Sequence, residues 1–270
     1  MSSSPPNTPK ATARGTKGRI ADELYQVLRR RILSGDLAAG ARLLAERDLS
    51  AELGTNRNTL REAIKRLEQD HLVTVRHGQG VTVCDFRRTG TIELLEPFLA
   101  YGKDPNEKMN ALRDLLMFRT QVLEQAMQLA AERASASDHD RLVRITSILS
   151  AAFPTGNAKA LSQGFEEWLE ALIDSAHSLT ARWAANPFLE INRTFTGKFP
   201  ALWITDTAFL QYLQRCVDAI GAKDAAAGMA ATRQYYAHID AVILAAMEAA
   251  LPFMAGEFIA PNTEGEPHVH

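Results

Sequence analysis

Between residues 45 and 83 the chain changes its hydrophobic period, and no other feature constrains the fold as tightly. Leu60, Ile64 and Leu67 recur at spacings of four and three, the period of a helix with one buried face. The spacing predicts a short helix over about 45–53 that stops at Gly54. It predicts a second over about 57–70, with Asn56 as its N-cap. Two short helices joined by a tight turn, Gly54-Thr55-Asn56, form the helix-turn-helix pattern. The period then drops to two. Leu72-Val73-Thr74-Val75-Arg76 and Val81-Thr82-Val83 are β-branched runs on either side of His77-Gly78-Gln79-Gly80, the pattern of a hairpin with a glycine-rich turn. A further helix is expected over 19–34, ended by Ser34-Gly35-Asp36. Helix, helix-turn-helix, hairpin is the order of a winged helix-turn-helix.

From Thr91 to Leu251 the strand signal fades. Apolar stripes such as Leu112, Leu115, Leu116, Val122, Leu123 and Met127 recur at helical spacing. Breaks are expected at Ser135–Ser137, Pro154–Gly156, Asn186-Pro187, Lys198–Pro200 and Gly221–Asp224, which implies an all-α bundle of six or seven helices. The fold class is therefore mainly α. Residues 1–18 read as a disordered basic arm, 19–88 as the winged domain, 89–255 as the helical domain and 256–270 as a disordered tail.

Charge follows that division. The formal net charge is −2, which taken whole argues against a nucleic-acid binder. Residues 1–88, however, hold 16 Lys/Arg against 10 Asp/Glu, and residues 89–270 hold 14 against 22. A domain of +6 is thus masked by one of −8. Cys84 and Cys216 form no CxxC pair, so neither a disulfide scaffold nor a cysteine zinc site is expected, and a reducing cytoplasm suits the chain. The N-terminus has no apolar core of a secretory signal. The longest apolar stretch, Ala241–Ala260, is broken by Glu248, Pro252, Gly256 and Glu257. It reads as a buried helix followed by a loop, with no membrane partner.

The helix expected at 57–70 opens with Asn56-Arg57-Asn58-Thr59-Leu60-Arg61. With Leu60 and Ile64 inward, Arg57, Asn58 and Arg61 project from the other side, where a recognition helix meets base edges. An arginine fork matches guanine O6 and N7, and an asparagine matches adenine. Thr59 and the first-turn amides suit a phosphate oxygen, and Arg47 in the preceding helix reaches toward the same groove. His77 and Gly78 mark the wing tip. Lys10, Arg14, Lys17 and Arg19 add phosphate contacts. A basic cluster alone is commonly a solvated helix face. Its position at the start of the second helix, followed by a wing with a basic tip, points instead to double-stranded DNA.

These residues resemble a known family. Leu44-Ala45-Glu46-Arg47-Asp48-Leu49, followed by Leu53-Gly54-Thr55-Asn56-Arg57-Asn58-Thr59-Leu60-Arg61-Glu62-Ala63, is similar to the signature of GntR-type transcription regulators. The family usually has proline at Leu44 and glycine at His71, which implies a left-handed His71. Leu115-Leu116-Met117-Phe118-Arg119-Thr120 and Leu129-Ala130-Ala131-Glu132-Arg133-Ala134 resemble the start of the effector domain of FadR-type members. The resemblance spans about 19–250. It implies a cytoplasmic homodimer on a short palindromic operator. It also implies an acidic or acyl-type effector, such as an acyl-CoA, a fatty acid or an organic acid, in the helical domain, with repression as the outcome. By it, Arg47, Arg57, Thr59, Arg61, His77 and Gly78 carry over as DNA contacts. Asn56 and Asn58 stand where the family often has serine or threonine.

Many relatives hold a divalent metal with one aspartate and three histidines. Here Leu169 and Leu213 fall in two of the histidine places and only His238 matches, so no metal or other cofactor is expected. Glu166, Glu167 and His177 are the candidate substitutes in a metal-dependent, organic-acid-sensing alternative. Arg119 sits among Leu115, Leu116, Phe118, Val122 and Leu123, and a buried arginine needs a partner: Glu124, another internal carboxylate, or an anionic effector. Tyr235, Tyr236 and His238 join Arg119 as candidate effector residues, and Arg233 and Trp203 as candidate wall residues. Two other readings are an enzyme with an accessory basic domain and an architectural DNA binder. Against the first, the chain has no HExxH, P-loop or nucleophile–base pair. Against the second, the helical domain is larger than dimerisation needs.

Overall fold

The computed structural model describes residues 12–76, 78–198 and 207–257. The chain divides into two compact units between Pro105 and Asn106. The first contains α1 (Thr12–Leu33), α2 (Glu46–Glu52), α3 (Arg57–Gln69), β1 (Val73–Arg76), β2 (Gly80–Val83), α4 (Phe86–Thr89) and α5 (Leu95–Tyr101). α1 begins seven positions before the expected start at 19, because Thr12–Gly18 holds no proline and extending an existing helix needs no new nucleus.

The helix-turn-helix closes as its sequence predicts. Gly54 takes the left-handed backbone that ends α2 (φ 61°), and Asn56 caps α3 by accepting from the Thr59 amide at 3.0 Å. Leu60, Ile64 and Leu67 of α3 are buried with Leu28 and Ile32 of α1 and Leu49 of α2. His71 is left-handed (φ 58°), and the Leu72 amide reaches back to the Leu67 carbonyl at 2.8 Å, so the chain leaves α3 directly into the wing.

β1 and β2 pair antiparallel, Val73 opposite Val83 and Val75 opposite Val81. The sequence did not predict a third edge. Residues 40–43 lie against β2 through Leu43 N–H to Val81 O and Val83 N–H to Ala41 O, both 2.9 Å.

The expected division near residue 88 falls short of the contact boundary. Leu94 joins the core of the first unit, with Phe86 and Tyr101 packed against that core. The Phe86 and Phe98 rings lie 5.8 Å apart, and Lys103 pairs with Asp36 at 2.6 Å. Burial of these side chains keeps 89–105 with the winged fold.

The second unit is all helical among the described residues: α6 (Pro105–Arg133), α7 (Ala136–Ala152), α8 (Ala158–Ser175), α9 (Leu179–Lys198), α10 (Thr207–Gly221) and α11 (Ala225–Glu257). Ser135 and Asp138 close a capping box at the start of α7, and Asn157 caps α8. Two expected breaks differ. α9 runs through Pro187, because Ala185, Phe188 and Leu189 around it are buried and hold the helix together. α8 and α9 separate instead at His177, in the left-handed region at φ 43°. α11 continues through Pro252 to Glu257, where a loop was expected. Trp168 and Phe165 of α8, Phe209 and Tyr212 of α10 and Tyr235 and Tyr236 of α11 form an aromatic core, with the Trp168 indole donating to Thr146 Oγ1 at 3.0 Å. No described helix is long and apolar enough to cross a membrane.

Candidate nucleic-acid interface and ligand cavity

The buried face of α3 fixes what its other face presents. Arg57, Asn58, Arg61 and Lys65 are exposed. Arg61 Nε lies 2.8 Å from Glu46 Oε2 on α2, and Arg47 Nε lies 3.0 Å from Asp48 Oδ1. Exposed pairs of this kind contribute about 0.2–1 kcal/mol, so an anion can take their place at little cost. Arg57, Asn58 and Lys65 have no hydrogen-bond or ion-pair partner among the described residues. The chain thus presents free guanidinium, amide and ammonium groups at and below the N-terminus of a helix, where the dipole adds positive potential.

Two expected DNA contacts, Thr59 and Asn56, are drawn into the fold itself. Thr59 is buried at 3% exposure, because position 59 falls on the same arc as Leu60 and Ala63. The Asn56 side chain is engaged in the cap. Gly78 is exposed at the wing turn with φ 73°, open to a Cβ only at a backbone cost, so the main chain there is bare. His77 lies outside the described residues, as do Lys10 and Trp203. Lys65 was missed in the sequence, although its spacing of four from Arg61 was the available signal.

In the second unit Arg119 of α6 is buried. Its partner is Asp240 of α11, and its guanidinium carbon stands 4.3 Å from the centre of the Tyr236 ring. Glu124, the sequence-neighbour alternative, instead binds Arg233 Nε and Nη2 at 2.9 and 2.6 Å. Arg233 is therefore on the surface. Burial raises the Asp240 carboxyl above its usual range while Arg119 pulls it down, and burial raises the Tyr236 phenol.

Two adjoining cavities share Arg119, Phe188 and Asn192. One lies among Leu112, Leu115, Leu116, Ile191 and Ile243. The other lies among Val122, Leu123, Leu169, Ile173 and Tyr236. An apolar chamber with one cation and one amide in its wall suits an apolar molecule carrying an anionic end. Tyr236 is in this wall. Tyr235 is not: it stacks on Tyr212 in the aromatic core, ring centres 4.3 Å apart. His238 is exposed on the flank of α11, outside both cavities. Phe188 and Asn192 were not foreseen, because a helix break was expected beside them.

The residues present do not fit a metal ion. Leu169 and Leu213 are buried hydrocarbon side chains. Among the described residues no three His, Cys, Asp or Glu are grouped to hold a cation. Of the candidate substitutes, His177 bonds Asp138 at 2.8 Å and Glu166 faces Arg193.

Comparison with known proteins divides the chain in the same way. Residues 20–83 match the model of bacterial regulatory proteins of the gntR family, and residues 114–238 match the FCD domain. The HTH-type transcriptional regulator Mce2R of Mycobacterium tuberculosis is 34% identical over 118 residues, 44% of this chain and 48% of that protein. The fatty acid metabolism regulator protein of Vibrio parahaemolyticus is 32% identical over 113 residues, 42% of this chain and 39% of that protein. The chain thus spans about half or less of the length of these relatives. The solved structure of Lar, described as controlling the Listeria monocytogenes agr system, matches with a TM-score of 0.51 at 15% identity, over 87% of this chain and 98% of that one; it shares the fold.

Proposed function

We propose that this chain is a GntR-type transcription regulator, a helix-turn-helix DNA-binding domain followed by an FCD effector-binding domain, and that a small acidic or acyl-type metabolite switches its grip on DNA. Its domains are those of regulators and not of an enzyme. In this reading α3 enters the major groove. Arg57, Asn58 and Arg61 meet base edges, Arg47 meets the same groove, and the wing turn at His77 and Gly78 approaches the minor groove. Two copies, as a cytoplasmic homodimer, engage the half-sites of a short palindromic operator and repress transcription from it. The observation that carries the DNA reading is the pair Arg57 and Asn58, exposed at the first turn of α3 with no side-chain partner among the described residues.

The effector lies in the chamber around Arg119, Phe188 and Asn192, with Tyr236 in its wall. Its apolar body packs on leucines and isoleucines and its acidic group turns to Arg119. A fatty acid or acyl-CoA has that chemistry, and the fatty acid metabolism regulator among the relatives supports the class. The effector changes DNA affinity only by binding one arrangement of the dimer better than another.

The test is the Arg57→Ala/Arg61→Ala protein in a mobility-shift assay with operator and scrambled duplexes. The expected result is loss of preference for the operator. Unchanged operator affinity would sink the reading.

A further inference from the structure

Arg119 lines both cavities, yet its charge is already balanced by Asp240, which lines neither. The inference drawn here rests on that chamber being the effector site. We propose that Asp240 holds on Arg119 the place of the effector's acidic group, and that an anionic effector binds by displacing it.

Three features of the pair point this way. The face of the guanidinium is covered by the Tyr236 ring at 4.3 Å, and Arg119 Nη2 is the nitrogen that meets Asp240. A second anion added beside Asp240 would bring two like charges together in apolar surroundings, whereas exchange keeps one anion per cation. The two partners also differ in freedom. The Asp240 side chain is 17% exposed and that of Arg119 9%, so the carboxylate is the member nearer to water and the one able to leave. Finally, a buried ion pair is often no more stabilising than the apolar residues that would fill its volume, so stability does not account for its presence. Because Arg119 is on α6 and Asp240 on α11, exchange also removes a tie between those two helices.

The experiment compares two probes on the full chain: 1-octanesulfonate, which is always anionic, and 1-octanol, which has the same tail and no charge. Binding is measured by titration calorimetry to wild type and to Asp240→Asn. The proposal expects octanesulfonate to bind the variant about tenfold more tightly than wild type, or about 1.4 kcal/mol, with octanol unchanged. If both probes bind and the variant gains nothing for octanesulfonate, exchange is overturned and the chamber stands. If neither probe binds either protein, the chamber is not the effector site and both readings fall. Should Asp240→Asn not fold, a crystal structure of wild type with octanesulfonate decides. A sulfonate on Arg119 with Asp240 turned to solvent supports exchange, and Asp240 still on Arg119 overturns it.

Discussion

At the scale of single residues, the proposed DNA-facing surface divides side chains by what they can recognise. Arg57 presents a planar fork at the first turn of α3, whereas Lys65 presents a point charge two turns further along. Arg57→Ala is expected to cost about 1–3 kcal/mol on the operator and to relax specificity at one base position. Lys65→Ala should weaken operator and scrambled duplexes alike and lower the salt dependence of binding by about one unit of slope. Titrations at several salt concentrations separate the two, and equal loss on both duplexes for Arg57→Ala would remove it from base reading. Arg57 and Asn58 were legible because Leu60 and Ile64 fix the inward side of the helix. Thr59 was not, since its hydroxyl suggests an outward role while its position lies on the buried arc. The partner of Arg119 was hidden for another reason: Asp240 is 121 positions away, and no local pattern connects them.

Among the elements, the break at Ser135–Ser137 was legible and the one expected at Pro187 was not there. Ser135 and Asp138 announce α7 three residues apart, and the side chains close the box as that spacing allows. The Ser135 hydroxyl, and then His177, hold the Asp138 carboxyl below the usual carboxylate range. A depressed carboxyl stabilises the fold when ionised. Its contribution is complete above the unfolded value of about 4 and is lost as pH falls through the lower folded value. Asp138→Ala should therefore lower stability at pH 7 by about 1 kcal/mol, and the gap to wild type should narrow as pH falls below about 4. Urea melts at pH 7 and pH 3 check this, and a gap as wide at pH 3 as at pH 7 would mean the loss is not the carboxylate's. The edge at 40–43 left no trace in the sequence, because it is held by main-chain bonds that any side chains permit.

For the whole molecule, the near-zero net charge describes neither part, since +6 before residue 89 meets −8 after it. Charge located the change of role but not the end of the first folded unit. That end depends on Leu94, Phe98 and Lys103, whose packing partners lie earlier in the chain. A fragment 12–105 is expected to be more stable than a fragment 12–88 by about 3 kcal/mol or more, from the apolar side chains the shorter one lacks. Equal urea midpoints would place the boundary back at 88.

Pro187 has a consequence beyond the path of α9. It brings no amide, so the carbonyl of Trp183 one turn earlier loses its helical donor, and Trp183 is itself 65% exposed to water. The backbone ladder therefore has a gap one residue before Phe188, where α9 becomes the wall of the chamber. A helix interrupted there breathes more readily than its unbroken neighbour α8, and its amides trade their protons for deuterium sooner. The wall that α9 gives to the cavities thus has a seam, and the chemistry of a single imino acid sets where that seam lies.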